Sequence, residues 1–276
     1  MEPPSGLMAA EPVIRLAAFA GVLLLCAAGE VLAPWRRPRL PRRARWPGNL
    51  GLVALDSLLL RVVFPTAAVG AALLAEAKGF GLLRWTGAPG WVAVPAGVAL
   101  LDLAIYLQHR VFHAVPALWR LHRVHHADPE IDATTGLRFH PVEILLSMAI
   151  KIVAVMALGV PAVAVLAFEV LLNAGSLFSH ANLALPRGLD AALRAVLVTP
   201  GMHRVHHSVV RAETDSNFGF CLSWWDRLFG TYRAAPAAGP DGVTIGLEQF
   251  RDPAELRLDR LLTQPFREDE AGPRRG

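Results

Sequence analysis

Apolar segments long enough to cross a lipid bilayer dominate this chain and limit the folds open to it. Hydrophobic residues make up 54% of its 276 residues, and the mean hydropathy of +0.40 exceeds that of soluble domains. A helix needs about 20 mainly apolar residues to cross the hydrocarbon core. The sequence therefore predicts an all-α fold, a polytopic membrane helical bundle of about five spans with a histidine-rich helical cap.

Five apolar runs qualify as spans: residues 12–33, 49–76, 90–108, 142–159 and 162–179. Pro65 interrupts the second run. The last two runs flank Gly159-Val160-Pro161. The glycine and the proline are turn residues, so this segment predicts a helical hairpin. Because such a hairpin holds Lys151 and Glu169 at a similar depth, we expect these two charged side chains to pair.

Six arginines stand between Trp35 and Trp46, directly after the first span. Two interpretations are open: an ordinary cytoplasmic loop, which is typically rich in Lys and Arg and flanked by interfacial tryptophans, or a binding site for anionic lipid. Either way the loop marks the cytoplasmic side. Five spans with the N-terminus outside then bring every histidine to the cytoplasmic face.

The basic composition does not indicate a nucleic-acid partner. The formal net charge of +4 comes from 25 Arg and 2 Lys against 23 acidic residues, and no aromatic side chains interleave with a basic stripe. We attribute the arginine bias, with abundant Ala, Gly and Pro, to a bacterial genome, and expect an integral protein of the inner (cell) membrane. Cys26 and Cys221 have no disulfide or metal-binding spacing.

All ten histidines lie between His109 and His207. Their spacing of three and four residues places the rings of each group on one face of a helix. Imidazole suits zinc, copper, iron and nickel, and eight such rings exceed the four ligands of a structural zinc. The pattern therefore predicts two metal ions sharing one site. The three groups are named box 1 (His109, His113), box 2 (His122, His125, His126) and box 3 (His203, His206, His207).

Four residues outside the boxes are further candidates for the site. His180 is predicted to be a metal ligand, and His140 is either a ligand or a residue that orients one. Asp102 and Tyr106 lie on the same helical face as box 1. Since Asp102 precedes His109 by seven residues, we expect its carboxylate to accept a ring N–H from a ligand.

Five motifs follow one another between residues 98 and 232: Asp102-x3-Tyr106-x2-His109-Arg110-x2-His113, Leu118-Trp119-Arg120-x-His122-x2-His125-His126, Arg138-x-His140-Pro141-x-Glu143, Thr199-Pro200-x2-His203-Arg204-x-His206-His207-Ser208 and Trp225-Asp226-Arg227-Leu228-Phe229-Gly230-Thr231-Tyr232. In order, spacing and flanking residues they resemble the fatty acid hydroxylase and sterol desaturase superfamily. These are integral-membrane enzymes with a histidine-bound di-iron centre. The chain departs from members with a third HxxxH pair at Ala184, where they carry histidine.

The resemblance implies the chemistry. The histidines would bind two iron ions, and dioxygen would be the co-substrate. Electrons would come from a separate protein of reductase, ferredoxin or cytochrome type. The reaction would hydroxylate or desaturate an apolar lipid, such as a fatty acyl chain or a sterol-like lipid. The implied organisation is N-terminal membrane helices with the basic loop (1–97), a catalytic domain (98–232) and a polar tail (233–276). One helix is predicted in the tail, from 253 to 262, before a charged end that we expect to fray.

A membrane zinc protein without redox activity is the alternative. A zinc hydrolase needs a general-base carboxylate beside its ligands, as in HExxH, and no box contains one. A metal-binding or transport protein places ionisable groups along a path near the bilayer midplane. These histidines instead cluster at one end of the predicted spans, which favours the oxygenase.

Overall fold

The computed structural model describes residue 6 and residues 10–268, and this part of the chain folds into α-helices and short 3₁₀ turns joined by loops. The α-helices are α1 (Glu11–Leu32), α2 (Arg42–Val63), α3 (Ala67–Lys78), α4 (Leu82–Trp85), α5 (Gly90–Ala114), α6 (Pro116–His126), α7 (Pro141–Leu158), α8 (Ala162–His180), α9 (Arg187–Leu193), α10 (Pro200–His206), α11 (Arg211–Thr214), α12 (Trp224–Leu228), α13 (Gly239–Gly242) and α14 (Leu258–Thr263). The 3₁₀ turns are Ala133–Leu137, Pro253–Leu256 and Gln264–Phe266.

The predicted five-span helical bundle is confirmed. Five segments of the described chain are long and apolar enough to cross a membrane: Glu11–Leu32, Arg42–Trp85, Gly90–Ala114, Pro141–Leu158 and Ala162–His180. The second contains a break between α2 and α3, at Phe64 to Thr66. Pro65 lies in this break, where its missing N–H and fixed φ interrupt helical hydrogen bonding.

The predicted hairpin forms from α7 and α8. Gly159 ends α7 in the left-handed conformation (φ 63°), which glycine adopts without steric cost. Lys151 Nζ lies 3.0 Å from Glu169 Oε1, so the predicted pairing is confirmed. Arg15 of α1, which the sequence did not implicate, lies 3.0 Å from the second oxygen of Glu169. Glu169 thus links the first span to the hairpin.

The helix ends that carry the site meet at one end of the bundle. Near the end of α1, Glu30 accepts a hydrogen bond from the backbone N–H of Ala133 (2.7 Å). Near the start of α2, Arg45 binds Asp128. The end of α5, the start of α7 and the end of α8 contact the box 2 helix α6 in this same cap. Box 3 joins them, since His203 Nε2 lies 3.0 Å from His180 Nε2, so all boxes lie together, as the predicted topology requires.

The arginine-rich segment is more structured than the predicted loop. Helix α2 already begins at Arg42, and Arg45 is 1% exposed. Its guanidinium binds Asp128 through Nε (2.8 Å) and Nη2 (2.7 Å), and Asp132 through Nη1 (2.6 Å). Because a buried charge is tolerated only when it is paired and hydrogen-bonded, Arg45 belongs to the folded cap and is not a lipid ligand.

The C-terminal region packs on the outside of the cap. Ile245, Leu256 and Leu261 are at most 1% exposed. The predicted helix at 253–262 is present as two elements, the 3₁₀ turn Pro253–Leu256 and α14. Most of the charged end that we expected to fray, residues 269–276, lies outside the described residues.

Candidate metal centre

Nine of the ten histidines converge in two neighbouring groups. Within each group the candidate ligand atoms lie within 4.8 Å of one another, and every ring is buried. The rings of the two groups also touch, for example those of His126 and His207, whose centroids are 4.6 Å apart. The five-histidine group is His109, His113, His122, His126 and His206; the four-histidine group is His125, His180, His203 and His207.

Boxes 2 and 3 each divide between the two groups. Val115, in an extended conformation, ends α5, and Pro116 at the first position of α6 starts the next helix at an angle. The rings of α6 therefore face both the end of α5 and the end of α8. Box 2 sends two rings to the five-histidine group and one to the other group, whereas box 3 does the reverse. Each group consequently needs both boxes.

Acceptors behind the five-histidine group fix the ring tautomers. Carbonyl and carboxylate oxygens accept hydrogen bonds, so the Nδ1 atom facing each of them carries the proton and leaves the Nε2 lone pair free. The pairs are His109 with Phe218 O (2.8 Å), His113 with Asp215 Oδ1 (3.2 Å), His122 with Glu143 Oε1 (2.7 Å) and His206 with Ser216 O (2.7 Å).

The free Nε2 atoms of this group point at one another. His109 Nε2 and His122 Nε2 are 3.0 Å apart, and both are lone-pair acceptors. The Nε2 atoms of His113, His126 and His206 are buried without a hydrogen-bond partner among the described protein groups. Nitrogens about 2.1 Å from one cation and at right angles around it lie about 3.0 Å apart. The donor set therefore fits a metal ion.

The four-histidine group has the same character. His180 Nδ1 faces the Ser176 carbonyl (2.7 Å), which leaves its Nε2 as an acceptor. That Nε2 lies 3.1 Å from His125 Nε2 and 3.0 Å from His203 Nε2. Neither ring nitrogen of His207 has a partner among the described protein groups. This set of imidazole donors therefore fits a second metal ion.

The cap keeps its imidazoles neutral. Burial lowers the pKa of all six box 2 and box 3 histidines below 6.5, and brings that of His122 to about 3. In the other five, neighbouring imidazoles lower the pKa further, because positive charges at such short distances repel. Neutral imidazole is the form that binds metal.

The structure does not bring His140 to either group. Its Nδ1 accepts a hydrogen bond from the backbone N–H of Val142 (3.2 Å) and caps α7. Its Nε2 therefore carries the proton and donates to the Leu262 carbonyl (3.2 Å). Both ring nitrogens of His140 thus bond to backbone groups, and His140 lies outside the two histidine groups.

Asp102 does not accept a ring N–H, contrary to our expectation. Its carboxylate accepts from the backbone N–H groups of Cys221 (3.2 Å) and Leu222 (3.0 Å) and from Trp225 Nε1 (2.9 Å). The expected donor, His109, turns its Nδ1 to Phe218 instead. Asp102 therefore fastens the segment after box 3 to α5.

Tyr106 acts on the same segment. Thr231 donates its hydroxyl hydrogen to Asp226 Oδ1 (2.7 Å), so the Tyr106 hydroxyl donates to Thr231 Oγ1 (2.8 Å). Asp226 also accepts from the backbone N–H of Phe218 (2.8 Å). This network holds the Phe218 carbonyl against box 1, so Tyr106 reaches the site through that loop.

Sequence reasoning assigned no role to several groups that orient the rings. Glu143 lies in a recognised motif, three residues after His140. A carboxylate in a histidine-containing motif could have indicated that it orients a ring. For Asp215 the only indication in the sequence was its position in a polar loop. The carbonyls of Ser176, Ser216 and Phe218 had no signal, because every residue carries a carbonyl.

A family model described as fatty acid hydroxylase matches residues 94–231, half of the chain. The ornithine lipid hydroxylase OlsE of Rhizobium tropici is 31% identical over 154 residues, which cover 56% of this chain and 45% of that protein. The alkylglycerol monooxygenase of Homo sapiens is 29% identical over 182 residues (66% and 39%). A delta(7)-sterol 5(6)-desaturase of Leptosphaeria maculans is 24% identical over 189 residues (66% and 50%).

The chain thus spans half or less of the length of these relatives. No solved structure matches it. The relatives are named as lipid hydroxylases, monooxygenases and desaturases, and the matched region contains all nine clustered histidines. As the resemblance predicted, this chain belongs to the fatty acid hydroxylase family.

Proposed function

We propose that this chain is a membrane-bound di-iron oxidoreductase that uses dioxygen and external electrons to hydroxylate or desaturate an apolar lipid. The observation that carries the proposal is the convergence of nine buried histidines, in two touching groups, at one end of a membrane helical bundle. The proposed catalytic unit is residues 98–232, joined to the membrane helices of residues 1–97.

The donor set supports iron as the metal. It consists of imidazole nitrogens alone, which suit iron, zinc and copper, and it holds no thiolate that an oxidising reaction would consume. The relatives' names describe redox reactions, which zinc does not perform. Two bound irons would supply the activation of dioxygen needed to attack an unactivated C–H bond.

The protein's own groups prepare the ligands and exclude water. Glu143 accepts the Nδ1 proton of His122 at 2.7 Å, which fixes the tautomer and raises the basicity of the opposite nitrogen. The carbonyls of Phe218, Ser216 and Ser176 fix three more rings. Because all nine rings are buried, the site is shielded from bulk water, which protects reactive species from side reactions.

Apolar side chains join the five-histidine group to the interior of the membrane helical bundle. The rings of Phe218 and Phe220 lie 5.4 Å and 5.2 Å from that of His109. Phe220 also packs against the intramembrane core, which includes Leu101 and Phe168. We infer that a lipid chain approaches box 1 along Phe220.

The proposal includes a partner and an orientation. Electrons come from a separate protein of reductase, ferredoxin or cytochrome type. The arginine-rich segment lies at the same end of the bundle as the histidines, and cytoplasmic segments are rich in arginine. The metal centre therefore faces the cytoplasm, in a bacterial inner membrane.

Anaerobic reconstitution of the purified protein with ferrous iron tests the proposal. Two ions per chain are expected, followed, after reductant and oxygen are added to a lipid extract, by a lipid that gains one oxygen atom or loses two hydrogens. His125→Asn should lower the metal content, and His140→Asn is the matched control that should retain it. Tight zinc binding with no iron uptake and no lipid change would instead favour the redox-silent zinc protein.

A further inference from the structure

The C-terminal segment touches both divided boxes although the family match ends at residue 231. We name residues 243–267 the C-terminal strap. Its buried apolar side chains pack against the cap at several points: Ile245 lies with Ile131, and Leu261 lies with Val124 of α6. The segment is therefore fixed against the helices that carry the metal-binding histidines.

The first part of the strap pairs with the backbone of box 3. Ile245 and Ser208 form an antiparallel bridge. The Val209 N–H donates to the Thr244 carbonyl (2.9 Å), and the Gly246 N–H donates to the carbonyl of His207 itself (3.0 Å). Gly246 has φ 101°, and a Cβ there would come within 3.0 Å of the Asp128 carbonyl, so this close approach requires glycine.

The last part of the strap is held by two arginines of the box 2 helix. Arg120 donates to the carbonyls of Pro265 (2.7 Å) and Arg267 (3.0 Å). Arg123, 1% exposed, donates to those of Gln264 (2.6 Å) and Arg267 (2.7 Å). Carbonyls at the end of a helix carry partial negative charge, which favours cationic donors there.

Each metal group takes rings from both boxes, so the distance between boxes 2 and 3 sets the geometry of both ions. The strap bonds to box 3 at one end and to the box 2 helix at the other. We propose that the strap is a positioning element that holds boxes 2 and 3 at the spacing both metal ions require. This inference rests on the metal-binding part of the proposed function.

The test uses the full-length protein loaded anaerobically with Fe²⁺, and with Co²⁺ as a redox-stable probe. Arg120→Ala/Arg123→Ala removes the donors that hold the end of the strap. Arg257→Ala is the matched control, because Arg257 lies within the strap and binds Asp259 two residues later. Arg120→Lys, which keeps a positive donor, should restore part of any effect of Arg120→Ala. The readouts are the rate of ion release to excess chelator and the amide exchange of residues 116–126, 200–206 and 253–267.

The double variant is expected to release both ions about tenfold faster than the wild type or more, since several charge-assisted hydrogen bonds are lost. Amide protection should fall in both box helices, whereas Arg257→Ala should match the wild type. Should the double variant not fold, Arg120→Ala, at an exposed side chain, carries the same comparison.

Release at the wild-type rate from a variant whose strap has lost amide protection would overturn the inference. A wild-type protein that retains neither ion would count against the metal assignment, and hence the proposed function. The exchange comparison in the metal-free protein would then still decide whether the strap holds the two boxes.

Discussion

Replacing Arg45 by methionine tests how the N-terminal helices are joined to the metal-binding cap. Arg45 and Asp128 are at most 1% exposed, and Asp132 is 5% exposed. Three hydrogen bonds of 2.6 to 2.8 Å join the guanidinium to the two carboxylates. Methionine retains much of the side-chain volume but leaves both carboxylates buried without their cation, which is the costly way to break such a network.

The expected loss of stability follows from two independent estimates. Removing one partner of a buried ion pair costs about 3–5 kcal/mol. Burial alone raises the pKa of Asp128, but the charge and hydrogen bonds of Arg45 outweigh it and bring the pKa from 3.8 to about 2. That difference corresponds to roughly 2 kcal/mol for this one buried carboxylate. Together the estimates place the loss near 4 kcal/mol.

Thermal unfolding in detergent at pH 7.5 measures this loss. A change of about 4 kcal/mol lowers the midpoint by about 10 °C for a chain of this size. Arg43→Met, at an exposed position of the same helix, is the matched control and should change the midpoint little. Adding Asp128→Asn and Asp132→Asn to Arg45→Met should recover part of the loss, because the unpaired charges are then removed.

Two results would refute this reasoning. A midpoint within about 2 °C of the wild type for Arg45→Met would mean that the network contributes little net free energy. A triple variant as unstable as Arg45→Met alone would trace the loss to packing rather than to uncompensated charge.

Four further outcomes are expected. Lys151→Met and Glu169→Gln should each lower the unfolding midpoint in detergent, with a double variant that loses less than the sum; strict additivity would show that the 3.0 Å pair is not coupled. Glu143→Gln should weaken iron binding about 10–100-fold in a chelator titration, because the carboxyl group that orients a box 2 ligand is replaced by an amide; unchanged affinity would contradict that role. His140→Asn should keep the wild-type number of ions and a capped α7, because Asn is itself a favoured N-cap residue, whereas His126→Asn should lose ions from the five-histidine group. Below pH 6.5 the folded metal-free protein binds fewer protons than the unfolded chain, because burial lowers the pKa of the box 2 and box 3 histidines. Each ring therefore lowers the free energy of unfolding by up to about 1.4 kcal/mol per pH unit as the pH falls. Limited proteolysis should show the metal-free cap opening between about pH 6.5 and 5, and the metal-loaded cap resisting to lower pH.

The membrane architecture was predictable because a bilayer imposes length and composition on each span. A spanning helix must satisfy its own backbone and cover about 30 Å of hydrocarbon, which makes each apolar run readable in isolation. The pairing of Lys151 with Glu169 was also predictable, since a hairpin about Val160 fixes their relative depth. The partner of Glu169 on α1, Arg15, depends on which helix packs beside the hairpin, and no local pattern specifies that.

The metal centre was predictable in composition and only partly in arrangement. Spacing of three and four residues placed the rings of each box on one helical face, but the division of boxes 2 and 3 depends on how α6 and α10 face each other. The partner of Asp102 could not be predicted from local spacing. Its spacing from His109 put both on one face, yet the nearer donors were the Cys221 and Leu222 N–H groups, about 120 residues later in the chain.

Folding of the cap is coupled to the binding of metal ions by its histidines. Among the clustered histidines, His113, His126, His206 and His207 each have a buried ring nitrogen that an ion can bind and that has no hydrogen-bond partner among the described protein groups, and a buried unsatisfied polar group costs about 1–3 kcal/mol. The summed cost approaches the whole stability of a typical protein, about 5–15 kcal/mol. Ions that bind these nitrogens remove the cost in the folded state only, so they stabilise it by mass action. We therefore expect the Arg45 network and the strap to hold the cap together before the ions bind.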